Sequence, residues 1–295
     1  MRRLTTLLAA SFAIAATDAA EACDLSILPE NMGQVAGFNA MQGAAVIQPV
    51  RLRLRNDSDE ACTGMLVFNR TEAAAELRAG HGGTIGYQIV DERAVNAVLF
   101  EPTRSLATAL PIRVGPETSI LVSPRMRIPG GQDVKSGRYS ARLDASVKDA
   151  VTGVELDRQS VELVSEVTPS VEANWVGVSR GEGSRTASLD LGELSTGHVR
   201  AAGLQMRTNS DVTIEIESMN RGELAHSSDP DSAVGYSLNV DGETLSLNGT
   251  QRIQRANGTG GTVDANLPLR FVVGDTSRAR AGEYSDTILV RISAR

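Results

Sequence analysis

LPLRFVVGDTSRARAGEYSDTILVRISAR, residues 267–295, is the stretch on which the fold turns. From Tyr284 onward its residues alternate: Tyr284, Ile288, Val290, Ile292 and Ala294 share one face, and Ser285, Thr287, Arg291 and Ser293 share the other. A period of two marks a half-buried strand, because successive side chains leave opposite sides of the pleat. Asp286 interrupts the apolar face and Leu289 the polar one. Ala281-Gly282 just ahead is a turn signal.

The same stretch occurs earlier as SGRYSARLDASV, residues 136–147, with Tyr139, Ala141, Leu143, Ala145 and Val147 on one face. Two further segments recur in the same order. Gly86-Tyr87-Gln88-Ile89 matches Gly235-Tyr236-Ser237-Leu238, and LRLRNDSD from Leu52 matches LQMRTNSD from Leu204. The offsets are 153 between Asn56 and Asn209, 149 between Tyr87 and Tyr236, and 145 between Tyr139 and Tyr284, a drift that loop-length differences produce. All four tyrosines belong to this repeat. The chain therefore carries two homologous domains.

The copies differ in how they end. After Tyr139 the first turns at residues 149–153 and continues through VELDRQSVELVSEV, residues 154–167, which reads as one further strand; its apolar face flips between Leu156 and Val161, which predicts a bulge. The second copy stops 11 residues after Tyr284. It is expected to lack the final strand and to expose an unpaired edge beside an apolar groove, with Tyr284, Ile288, Val290 and Ile292 as the candidate groove residues. Exposed edges template aggregation and are normally protected, so an exported chain that leaves one open is expected to receive a strand from another chain.

Residues 1–22 read as a signal peptide: Arg2-Arg3, an apolar run over residues 4–16, and the small-residue site Ala20-Glu21-Ala22 before Cys23. The run is too short to span a bilayer. Glu21 and Ala20 fit a lipidation site at Cys23 poorly. Export makes a disulfide between the two cysteines, Cys23 and Cys62, the expected state, and a metal site or a reactive thiol is the alternative. The three histidines, His81, His198 and His226, are not spaced for joint ligation, so no metal and no cofactor is expected. A net charge of −7 argues against a nucleic-acid partner.

Residues 23–167 form the first expected domain and residues 168–295 the second, joined at Thr168-Pro169-Ser170. The first reads as short strands over 46–55, 64–69, 84–90, 94–100, 119–127 and 138–148, with a helical turn or two over TEAAAELRA, residues 71–79. In the second, Asp241-Gly242 between two apolar runs predicts a two-residue hairpin turn. Short, evenly punctuated strands indicate an all-β chain of two tandem β-sandwiches.

LDLGEL from Leu189, residues 204–226, GYSLNVDG from Gly235 and the closing AGEYSDTILVRI together resemble the spore coat protein U domain, a relative of the pilin subunits of archaic chaperone-usher fimbriae. In the first domain the resemblance is carried by Cys23, Cys62, Gly86-Tyr87 and Gly137-Arg138-Tyr139. The second domain departs from the pattern in having no cysteine pair and in Val212, where an aromatic is common. The resemblance implies an immunoglobulin-like, pilin-type sandwich that lacks its last strand. It also implies completion of that sandwich by a periplasmic chaperone, export through an outer-membrane usher, and a neighbouring pilus subunit that donates the missing strand. With cleavage after Ala22 no N-terminal donor extension is expected. A chain that accepts a strand without donating one belongs at a fibre tip, so the expected product is a non-enzymatic tip subunit or adhesin that passes through the periplasm to the cell surface and there meets an unidentified receptor.

A free-standing secreted or periplasmic two-domain binding protein is the alternative. A two-domain chaperone would need a basic cleft to anchor the carboxyl terminus of its client, and no clustered basic pair marks one. Gly177-Val178-Ser179-Arg180-Gly181 matches the G-x-S-x-G hydrolase pattern, but Glu182-Gly183-Ser184 does not open a helix. Asp229-Pro230-Asp231 reads as a turn, lacking the other ligands of a calcium loop. Trp175 is expected to pack near the hinge.

Overall fold

The computed structural model describes residues 23–30, 37–69, 76–94, 96–102, 106–180, 186–258 and 260–295. The expected signal peptide and the first part of the expected helical turn lie outside these residues. The chain is all-β, with no α-helix among the described residues. It forms two immunoglobulin-like sandwiches in tandem, each with its own apolar core. One core draws on residues from Leu25 to Val167, the other on residues from Val171 to Ile292.

In the first sandwich, Leu25–Pro29, Leu52–Asn56 and Ser119–Val122 make one small sheet, and Val46–Pro49, Arg125–Ile128, Gln88–Val90, Val98–Glu101 and Leu106–Ala107 make another. Opposite them lies a sheet built on Cys62–Asn69, Gly137–Asp149 and Glu155–Val167. The strands expected over 46–55 and 119–127 are each divided in two. Their shared ribbon bends where Val50 N–H donates to the Pro124 carbonyl at 2.7 Å, and the two halves join different sheets. Pro124 has no N–H to return, which opens the ladder there. Val50 and Pro124 turn inward as the ribbon wraps the core.

The helical turn expected over 71–79 is corrected where it is described: Leu77–Ala79 is a strand, paired with Thr84–Ile85 and with Gly137–Asp149. Burial of Leu77 and two sheet neighbours outweigh the helix preference of leucine, arginine and alanine, which is a local bias that tertiary packing overrides. The bulge in Glu155–Val167 is present. Val147 faces Asp157 while Lys148 faces Glu155, which leaves Leu156 as the extra residue. Cys23 and Cys62 are joined, closing a separation of 39 residues, worth about 4 kcal/mol in the chain-entropy account.

The second sandwich repeats this plan. Val171–Val176, Val199–Thr208, Val263–Val273, Ala233–Val240, Glu223–His226 and Tyr284–Ser285 form the larger sheet; Gln251–Arg255, Val212–Ser218 and Ile288–Ala294 form the smaller one. Ala233–Val240 and Glu243–Leu245 are a hairpin across Asp241 and Gly242, whose φ values of 53° and 89° are the left-handed pair that a two-residue turn demands.

Candidate functional site

The site is defined by the difference between two equivalent places. In the first sandwich, Glu155–Val167 lies against one side of Gly137–Asp149 along nearly its whole length and drives Val161, Leu163 and Val167 into the core. It is also tied to the first strand, since Ile27 N–H donates to Asp157 Oδ2 at 2.7 Å. The core is thereby closed. Leu143, Ala145 and Val147 are all 0 % exposed.

At the offset of 145 these residues correspond to Ile288, Val290 and Ile292, and all three are only half-buried. Ile288–Ala294 pairs with Val212–Ser218, from Val212 opposite Ala294 to Ser218 opposite Ile288, and no other described strand pairs with it. Val171–Val176, the counterpart of Leu25–Pro29, likewise has one partner, Val199–Thr208. Between the two edges runs a groove of about 1290 Å³. Trp175, Ala202, Leu238, Leu269 and Phe271 line it from the larger sheet, and Ile288 and Val290 from the smaller. Two open backbone ladders and an apolar floor between them can bind one extended strand whose alternate side chains point inward.

One end of the groove is held by a polar knot. Asp286 accepts from Ser218 Oγ at 2.6 Å, Tyr236 Oη at 2.6 Å and Asn220 N–H at 3.0 Å. Burial, reinforced by the Asp286 carboxylate, raises the Tyr236 hydroxyl well above the usual phenol range. The carboxylate that breaks the alternation of the last strand is thus the group that divides Tyr284–Ser285 from Ile288–Ala294 and lets each join a different sheet.

Beside it stands a corner that the chain builds twice. Tyr284 Oη donates to the Arg280 carbonyl at 3.0 Å, as Tyr139 Oη donates to the Lys135 carbonyl at 2.7 Å, each reaching back four residues. Such a back-bonded tyrosine is a hallmark of immunoglobulin-like sandwiches. The His226 ring meets the Tyr284 ring edge-on at 4.9 Å and 85°, and His81 meets Tyr139 at 5.5 Å and 82°. His226 stands 145 residues after His81, the offset of the tyrosines themselves, and Gly282 stands 145 after Gly137. A Cβ at Gly282 would lie 2.0 Å from His226 Nε2, so the corner requires glycine there. The repeated Gly-x-Tyr is legible in the sequence, whereas the histidine that completes it falls in another segment and carries no local pattern.

Of the expected groove residues, Ile288 and Val290 line the groove, Tyr284 lies at its end with the small cluster of Leu224, Val234 and Val273, and Ile292 packs further along against the second core. Trp175 stands on the groove wall, not at the hinge. Its position in the chain, five residues past Ser170, suggests hinge packing but does not say which face a strand turns. Ser179 lies in the short strand Ser179–Arg180, paired with Ala187–Ser188, which is not a strand-turn-helix elbow. Among the described residues no three His, Cys, Asp or Glu side chains are grouped to hold a metal ion.

No protein-family model matches the chain, and no curated protein matches it. Solved structures do. A chain of the chaperone-tip adhesion subunit pre-assembly complex from the archaic chaperone-usher Csu pili of Acinetobacter baumannii aligns over 92% of this chain and 99% of its own, with 15% identity and a TM-score of 0.43. The CupB6 tip adhesin of Pseudomonas aeruginosa aligns over 92% and 94%, with 11% identity and a TM-score of 0.39. CfaE, the adhesive subunit of CFA/I fimbria of enterotoxigenic Escherichia coli, aligns over 92% and 87%, with 12% identity and a TM-score of 0.31.

Proposed function

We propose that the protein is an exported, non-enzymatic subunit of chaperone-usher fimbriae, the two-domain tip subunit or adhesin, whose second domain, residues 168–295, is completed by a strand supplied in trans. The first domain, residues 23–167, carries its own last strand and faces the receptor. The observation that carries this reading is the unpaired edge of Ile288–Ala294 beside an apolar groove, where the equivalent edge in the first sandwich is occupied by Glu155–Val167. A periplasmic chaperone would hold the groove during transit, and after passage through the usher a neighbouring subunit would replace it. Each apolar side chain that enters the groove contributes roughly 1.5–3 kcal/mol, and each ladder bond about 0.5–1.5 kcal/mol. The strand that fills the first sandwich serves as a template for the incoming one, with inward residues at every second position as in Val161, Leu163 and Val167.

The test is co-expression of the full chain with its cognate chaperone. A stable one-to-one complex is expected, together with secretion of the chain that fails without the chaperone. A chain that is stable, monomeric and protease-resistant with no partner would instead identify a free-standing secreted binding protein.

A further inference from the structure

The bent ribbon of the first sandwich carries a feature that strand acceptance does not use. Its register is continuous through the bend: Arg55 lies opposite Ser119, Arg53 opposite Leu121, Pro49 opposite Arg125 and Ile47 opposite Arg127. Even-numbered residues such as Leu52, Leu54, Met126 and Ile128 point into the core, so the odd-numbered ones all point out. The outward face is therefore a ladder of arginines, Arg51, Arg53, Arg55, Arg125 and Arg127, with rows about 7 Å apart. Exposed aliphatic residues stand between them: Ile47 is 45 % and Leu121 50 % exposed, and Leu28 at 43 % adjoins Arg53 on the next strand.

The charges on this face are only partly answered. Arg53 Nε donates to Glu30 Oε1 at 2.7 Å and Arg55 Nε to Asp57 at 2.5 Å. Arg51 and Arg125 form no ion pair among the described residues. In a chain of net charge −7 this is a local concentration of positive charge against the general sign.

We propose that the arginine ladder is a binding surface for a linear acidic polysaccharide. Guanidinium forks recognise carboxylate and sulfate through paired hydrogen bonds. The aliphatic residues between them offer contact to the C–H faces of sugar rings. Because the ribbon bends around its core, with Val50 and Pro124 inward, the arginines splay along a convex line. A flexible glycan can follow such a line, whereas a stiff DNA duplex would touch it only tangentially. The surface does not depend on whether the second sandwich accepts a strand.

The experiment uses the full chain and four probes: immobilised heparin for sulfated glycans, polygalacturonate for carboxylated ones, neutral dextran, and a short DNA duplex. The expected result is retention at low salt on heparin, on polygalacturonate or on both, none on dextran, and release as salt rises. Retention on heparin alone assigns a sulfated partner, and retention on polygalacturonate a uronate polymer. Arg51→Gln combined with Arg125→Gln should weaken binding about tenfold, the loss of two exposed ion pairs, with the unfolding midpoint unchanged. The double lysine variant Arg51→Lys with Arg125→Lys, which keeps the charge and loses the fork, should bind between the unmodified chain and the glutamine variant, and Arg252→Gln in the second sandwich should change nothing. Absence of retention on both acidic glycans, full retention by the glutamine variant, or tighter binding of the DNA duplex would overturn the proposal.

Discussion

At the scale of single residues, the informative positions are those that break a pattern. Asp286 interrupts an otherwise apolar face, and it does so because three donors from neighbouring segments converge on it. The exception is legible in the sequence; its cause is not, since Ser218, Asn220 and Tyr236 are 50 to 68 residues away. Asp286→Ala should cost about 1–3 kcal/mol, because the Tyr236 and Ser218 hydroxyls lose their acceptor in a half-buried setting. Urea unfolding of the chain in its completed form measures it, and a loss under about half a kcal/mol would show that the knot contributes little. Ser165 is the opposite case. It is 0 % exposed and its hydroxyl has no hydrogen-bond partner among the described residues, although it lies in the strand that closes the first core. Ser165→Ala removes an unanswered polar atom and should raise the stability of the first sandwich by about 1 kcal/mol. A lowered unfolding midpoint would mean that the hydroxyl is satisfied after all.

At the scale of elements, alternation and repetition tell more than propensity. The period of two from Tyr284, the extra strand after Tyr139 and the Asp241-Gly242 hairpin can be read directly, because each is a local pattern with a local cause. The divided ribbons cannot be read as such: Val50 and Pro124 turn inward for the sake of a core made by distant strands, and only Pro124 hints at an interruption. Leu77–Ala79 reads as helical because its residues favour a helix, while its neighbours in space offer a ladder. The groove's opposite wall is equally hidden, since Trp175 and Phe271 meet Ile288 and Val290 only in three dimensions. Val290→Glu would place a carboxylate in the groove from the side of the smaller sheet. It should abolish recovery of the chaperone complex while leaving the first sandwich folded, as judged by its own unfolding transition. Undiminished complex in pull-downs would remove Val290 from the binding surface.

At the scale of the whole molecule, the two sandwiches are fastened as well as linked. Asn209, the counterpart of Asn56, donates to the Thr168 carbonyl at 3.0 Å and accepts from Ser170 N–H at 2.8 Å, so the hinge is folded onto the second sandwich. Lys135 Nζ reaches the carbonyls of Asn257 and Gly258 at 2.9 and 3.1 Å, and Asp133 accepts from Thr262 N–H. Those hydrogen bonds from Thr262 hold the Asp133 carboxyl below its usual range. Its contribution to the fastening is therefore complete above the ordinary aspartate pKa near about 4 and is lost as pH falls below it. Small-angle scattering should show the chain lengthening below that pH and, in Asp133→Asn, a dimension that no longer depends on pH in this range; equal pH dependence in both proteins would exclude the carboxylate. Whether Ile288–Ala294 awaits a strand from outside is decided by amide hydrogen exchange over residues 284–294. The comparison is between the unmodified chain and one extended after Arg295 by a short turn and a copy of residues 155–167. Fast exchange is expected in the unmodified chain at the alternate amides of 288–294 that face away from Val212–Ser218, and strong, cooperative protection of the same amides in the extended one. Equal protection in both would contradict strand acceptance.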